Sequence, residues 1–250
     1  MPALDHLSRP EYPRSATYDA RWLVDLDMGP HPLWLLEDLA GDLDLRPGMR
    51  VLDLGSGLGA TSVFLAREYG VQVVAADLWV DPSEAARVFD REGVGDRVLA
   101  MRVDAHALPF GRQSFDAVVS VDAWEYFGTG DHYPGYLARF VRPGGQLGVA
   151  TPALTTEVRE LGALPEHVDH VVGAEAAAWH THEWLRTQWS LSRAFTEVTA
   201  RSQPEGAANW LLWERAVNEL KGQQSSPVQG MLEADQGAFL TFALVTGRVA

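Results

Sequence analysis

The sequence predicts an α/β protein built on a doubly wound, mostly parallel seven-stranded sheet. Three observations carry that prediction. From residue 50 onward, short apolar runs alternate with segments of helical period. The runs are continuously apolar rather than alternating, as strands buried on both faces are. The first run ends in a glycine-rich turn, Gly55-Ser56-Gly57-Leu58-Gly59, that opens directly into a helical pattern.

The elements follow in order. Strands are predicted at 50–54, 72–76, 98–103, 115–121 and 145–150, with helices at 58–68, from Asp81-Pro82 to about 91, and at 132–140. Proline in a first helical turn beside an N-cap residue marks the start at Asp81. The last third changes character: a helix at 182–192 with Thr181 as its cap, a strand at 195–200, a helix at 208–220 and a final strand at 239–246. That last strand is expected to run antiparallel at the sheet edge, where it could pair across a homodimer. Residues 222–227 read as a loop. Ahead of the sheet, residues 1–47 form a proline-broken helical cap with helical spacing at 18–26 and 33–43. The chain therefore reads as one domain: a cap over 1–47, a cofactor-binding core over 48–150 and an acceptor side over 151–250.

Composition narrows the function. A chain of 250 residues buries roughly 70–75% of its unfolded surface and needs no covalent staple. It has no cysteine, hence no disulfide, thiolate metal site or cysteine nucleophile. A net charge of −14 opposes binding to nucleic acid or anionic membranes. No apolar run approaches the roughly 20 residues of a membrane helix, and the N-terminus lacks the pattern of a secretory signal. A cytoplasmic protein acting on a small molecule is expected.

Gly55, Gly57 and Gly59 let the backbone turn sharply and admit a ligand closely, with Ser56 between them. The helix N-terminus beyond them supplies free N–H groups and a positive dipole end, suited to a pyrophosphate or a carboxylate. Alone, this loop also satisfies the dinucleotide pattern, so an NAD-dependent oxidoreductase stands beside other readings. Asp53, two residues before the first glycine, can hold a cationic amine. Asp77 ends the second strand and can accept both ribose hydroxyls. Leu78 and Trp79 follow and can cover an adenine face.

Two further blocks settle the comparison. Val103-Asp104-Ala105-His106-Ala107-Leu108-Pro109-Phe110 follows the third strand. Ser114-Phe115-Asp116 and Val141-Arg142-Pro143-Gly144-Gly145 follow at matching distances. Over residues 50–150 this ordered set resembles class I S-adenosylmethionine-dependent methyltransferases of the quinone-methyltransferase and cyclopropane-synthase kind. The resemblance implies a Rossmann-like methyltransferase fold and S-adenosylmethionine as cofactor. It also implies that Asp104 accepts from the adenine amine, with Ala105 and His106 along the ring. Val121, ending the fourth strand, completes the expected cofactor wall.

The acceptor is expected beyond the strand ends, by the segment 121–133. That segment is similar to one in the cyclopropane-synthase group at Glu125, Phe127 and Gly128. Tyr126 replaces that group's histidine, and its nearby cysteine is missing, which argues against lipid-olefin chemistry. Methyl transfer from a sulfonium is an in-line displacement that mainly needs positioning and desolvation. Glu125, Tyr126 and His182, with His132 and His180, are candidate bases where an acceptor proton must leave. His167, Asp169 and His170, and the pair His180 and His182, have metal-like spacing, but no metal is assigned. Tyr18, with Tyr12, Trp22 and the Met28–His31 turn, offers aromatic faces near a sulfonium. Trp179, Trp184 and Trp210 could line an acceptor site, whereas Trp189 and Trp213 are expected to fill the helix–sheet layer. A non-catalytic cofactor-binding module is the remaining alternative.

Overall fold

The protein is described from a computed structural model, which covers residues 7 and 9–250. The N-terminal stretch that lacks a secretory-signal pattern therefore lies largely outside the described residues. Seven strands form one sheet: β1 (Arg50–Leu54), β2 (Gln72–Asp77), β3 (Val98–Arg102), β4 (Phe115–Val121), β5 (Val141–Leu154), β6 (Phe195–Ser202) and β7 (Leu240–Val249), in the order β3-β2-β1-β4-β5-β7-β6. The first five run parallel. Strand β7 is antiparallel to both β5 and β6.

The sheet is buried on both faces, and the apolar runs show why. Val51, Val73, Ala75, Ala117 and Val119 enter one core layer, while Leu52, Leu54, Val74, Val118 and Leu147 enter the other. Side chains alternate along a strand, so a strand covered on both faces is apolar at every position. The first layer is closed by α2 (Pro32–Ala40), α3 (Ala60–Glu68) and α9 (Gly206–Leu220), the second by α5 (Tyr133–Ala138) and α8 (His182–Leu191); the single turns α6 (Val158–Leu161) and α7 (Glu166–Asp169) lie between α5 and α8 in the chain.

Local signals place the helix starts. The Asp81 carboxylate accepts from Ser83 N ahead of α4 (Pro82–Arg91), with proline in the first turn. Thr181 Oγ1 accepts from Trp184 N and opens α8 as expected. Asp19 caps α1 (Ala20–Asp25). Helix α3 has no side-chain cap; Gly59, at φ +96°, leads into it.

Three expectations are corrected. The last strand is antiparallel but not at the edge: β7 lies between β5 and β6, so its backbone is paired on both sides. A dimer through that strand loses its physical basis. The Arg142-Pro143-Gly144-Gly145 turn is an irregularity inside β5, where the register with β4 shifts between Phe115 and Ala117. The stretch after residue 222 is a loop only as far as Ser226, which caps α10 (Pro227–Asp235). Among the described residues, no helix is long and apolar enough to cross a membrane.

Candidate active site

The carboxyl ends of β1 to β4 open onto a cavity of about 340 Å³. Its floor is the glycine loop between β1 and α3. Gly55 has φ +77°, and a Cβ there would land on the methyl group of Ala123. A side chain at that position would therefore wedge the loop off the end of β4. The Gly57 amide donates to Asp77 Oδ2 at 2.9 Å, tying the loop to the end of β2. A roof formed by Leu26, Met28, Gly29, Pro30 and Pro32 comes from the N-terminal segment. A Cβ at Gly57 would meet the Met28 sulfur, so floor and roof approach closely.

Twelve predicted site residues line this cavity. They are Gly55, Ser56, Gly57 and Gly59 on the floor, and Asp77, Leu78 and Trp79 after β2. Asp104, Ala105 and His106 follow β3, Val121 ends β4 and Tyr126 follows it. Four others do not line it. Asp53 is fully buried, and its Oδ2 accepts from the hydroxyls of Thr61 and Ser62 at 2.6 Å each. Its Oδ1 is buried without a partner among the described residues. Burial, only partly offset by those two hydroxyls, pushes its pKa up to about 6. Tyr18 packs on Phe64 and Trp22 and donates to Glu68, outside the cavity. His182 begins α8 and faces Glu183 and Ser202. Glu125 lies behind the wall and accepts from Thr151 Oγ1 at 2.9 Å.

The roof also differs from expectation. Tyr12 stacks on Trp34 and bonds Asp38, Gln203 and Asn209. His31 caps α2 through Nδ1, stacks on Trp34 and meets the edge of Trp213. Burial pushes its pKa down to about 3, so it stays neutral. The C-terminal aromatics are equally structural: Trp179, Trp189, Trp210 and Trp213 are buried in the core. His180 stacks on Trp184 and pairs with Glu157, while His167 pairs with Asp235. None of the residues lining the cavity comes from 151–250.

The sequence reading missed Asp122 as a site residue, although it follows Val121 at a strand end as Leu78 follows Asp77. Its carboxyl lines the cavity next to Gly29. Burial, then the charges of Glu125 and Asp27, raises its pKa well above the usual carboxylate range. Burial raises Glu125 to about 7, against its hydrogen bonds and with Glu175 adding to it. Burial and the same acids push Tyr126 up to about 12.

The residues present fit S-adenosylmethionine. A helix N-terminus without a side-chain cap, a glycine floor that a Cβ would obstruct and strand-end acids after β2 and β3 match its carboxylate, ribose and adenine. Comparison with known proteins decides the family. The profile of the mycolic acid cyclopropane synthetase family matches residues 36–175, more than half of the chain. The chain belongs to this family, within the class I S-adenosylmethionine-dependent methyltransferases.

Relatives agree with that membership. Demethylmenaquinone methyltransferase of Mycobacterium sp. (strain KMS) is 38% identical over 171 residues, which are 64% of this chain and 70% of that protein. Methyltransferase GfsG of Streptomyces halstedii is 36% identical over 117 residues, 46% of this chain; the match spans 42% of GfsG. Among solved structures, phosphoethanolamine N-methyltransferase 2 of Haemonchus contortus has a TM-score of 0.71 at 20% identity. That match covers 100% of this chain and 60% of the other, a likeness of fold.

Proposed function

We propose that this methyltransferase-family chain transfers a methyl group to a neutral or amine-bearing small molecule, with an apolar body held at the cavity mouth. The observation that carries the reading is the wall itself: the glycine floor is coupled to Asp77, and Asp104 follows along the same rim. When bound, S-adenosylmethionine supplies an electrophilic methyl group on a positively charged sulfur.

The chain's own residues then position, desolvate and accept protons. Asp77 already accepts from the amides of Gly57, Trp79 and Val80. A carboxylate has about four acceptor sites, so roughly one remains for a ribose hydroxyl. The roof from Leu26 to Pro32 excludes water from the floor. Of the residues lining the cavity, none is arginine or lysine. A phosphate or carboxylate on the acceptor would meet only the acids Asp77, Asp104 and Asp122 and the imidazole of His106. The mouth is apolar and open: Met28, Trp79 and Tyr126 are 55%, 64% and 52% exposed, and Trp79 meets Tyr126 edge to face at 4.9 Å. Glu125, raised to about 7, is the group suited to take an acceptor proton, through a water.

Titration calorimetry tests the reading. Adenosylhomocysteine is expected to bind and NADH to bind more weakly or not at all. No adenosylhomocysteine binding, or tighter NADH binding, would overturn it.

A further inference from the structure

One carboxylate on the wall has no partner. Of the three acids that face the cavity, Asp77 accepts from three backbone amides and Asp104 from the amide of His106. Asp122 is half-buried at the cavity wall among groups that only repel its charge, and among the described residues no hydrogen bond or cation answers it. The groups facing it are Glu125 and Asp27, with Tyr126 and Glu175 beyond. Asp27 is itself answered by Lys221 and by the Trp213 indole. A carboxylate partly withdrawn from water beside like charges is stabilised by holding a proton or by meeting a ligand cation.

The sequence offers Asp53 for a cationic amine, but Asp53 is sealed behind the floor and already binds two hydroxyls. Asp122 is open to the cavity and close to the glycine loop, because Ala123 sits against Gly55. We propose that Asp122, backed by Glu125, is the subsite for the α-ammonium group of S-adenosylmethionine, in place of Asp53. This rests on the cavity being the adenosylmethionine site. The amino-acid end of the ligand would then meet opposite charges on two sides: loop amides at its carboxylate, Asp122 at its ammonium.

Two ligands isolate that contact: adenosylhomocysteine and its deamino counterpart, in which hydrogen replaces the α-amino group. Calorimetry on the wild type should show a preference for adenosylhomocysteine of about tenfold to a hundredfold, the range for a hydrogen bond to a charged partner. Asp122→Asn should lose most of that preference. Asp53→Asn should keep it. The wild type gives an independent reading if a variant does not fold. Its preference should shrink as pH falls through about 7, where Glu125 behind Asp122 takes up a proton while the ligand amine stays charged. A preference retained in Asp122→Asn, lost in Asp53→Asn instead, or constant through that fall in pH overturns the assignment. Failure of the wild type to bind either compound overturns the cofactor site itself, which is a separate result.

Discussion

Glu125 and Tyr126 are neighbours in sequence but differ in what they can do with a proton. Tyr126 is half exposed, yet burial of its ring and the acids around it push its hydroxyl up to about 12. At neutral pH it is a donor and an apolar wall, not a base. Glu125 at about 7 is poised to change state in the working range. A base acts when deprotonated, so kcat should rise as pH increases through about 7 and then level off. Glu125→Gln should lower kcat by about a hundredfold and remove that rise. Tyr126→Phe should leave the shape of the profile unchanged. A pH–rate profile on any acceptor that turns over checks both. Motif position is enough to pick out Glu125; its raised pKa comes from packing and from Glu175, fifty residues away in sequence.

At the scale of elements, the cavity depends on how the N-terminal segment is held down. Trp213 on α9 donates its indole N–H to Asp27 Oδ1 and to the Gly29 carbonyl, both at 3.1 Å. It thereby pins the segment that supplies Met28, Gly29 and Pro30 to the roof. Trp213→Phe keeps an aromatic ring but removes the donor, so two part-buried acceptors lose a partner. Unfolding stability should fall by roughly 1–3 kcal/mol, and adenosylhomocysteine should bind more weakly as the roof loosens. Denaturant titration and calorimetry on the same variant check the pair of effects. Unchanged affinity would detach the roof from the site. The helical spacing of residues 18–26 and the turn at 28–31 were legible in the sequence. Which side chains face the cavity was not, because Tyr12, Tyr18 and His31 are drawn to Asp38, Glu68 and Trp34.

For the whole molecule, buried titratable groups set how the ligand-free protein responds to pH. Asp53 and Glu125 have folded pKa values of about 6 and about 7, above their ordinary 3.8 and 4.5. Between those limits the folded state holds more protons than the unfolded state, so these groups lower stability as pH rises. His31 acts in the opposite sense between about 3 and 6.5, where the unfolded chain binds the extra proton. Above pH 6.5 the histidine contribution is complete and the carboxyls remain. The melting temperature of the ligand-free protein should therefore decline as pH rises from 6.5 through about 7.5, and Glu125→Gln should flatten that decline. Thermal denaturation across that window checks it; a rising melting temperature would contradict the assigned burial.

The sequence by itself determined the layered α/β architecture, the glycine floor and the acids at Asp77 and Asp104. Each of those is a local matter: strand periodicity, turn chemistry and the residue at a strand's end are written within a few positions of one another. Only the tertiary structure decided that β7 pairs on both sides, that Asp53 is sealed off while Asp122 faces the cavity, and that His182 and the C-terminal tryptophans stand away from it. Those depend on which distant segments meet. Two carboxylates alike in sequence become a buried hydroxyl acceptor and an acid open to the cavity because Thr61 and Ser62 cover one and, among the described residues, no cation covers the other.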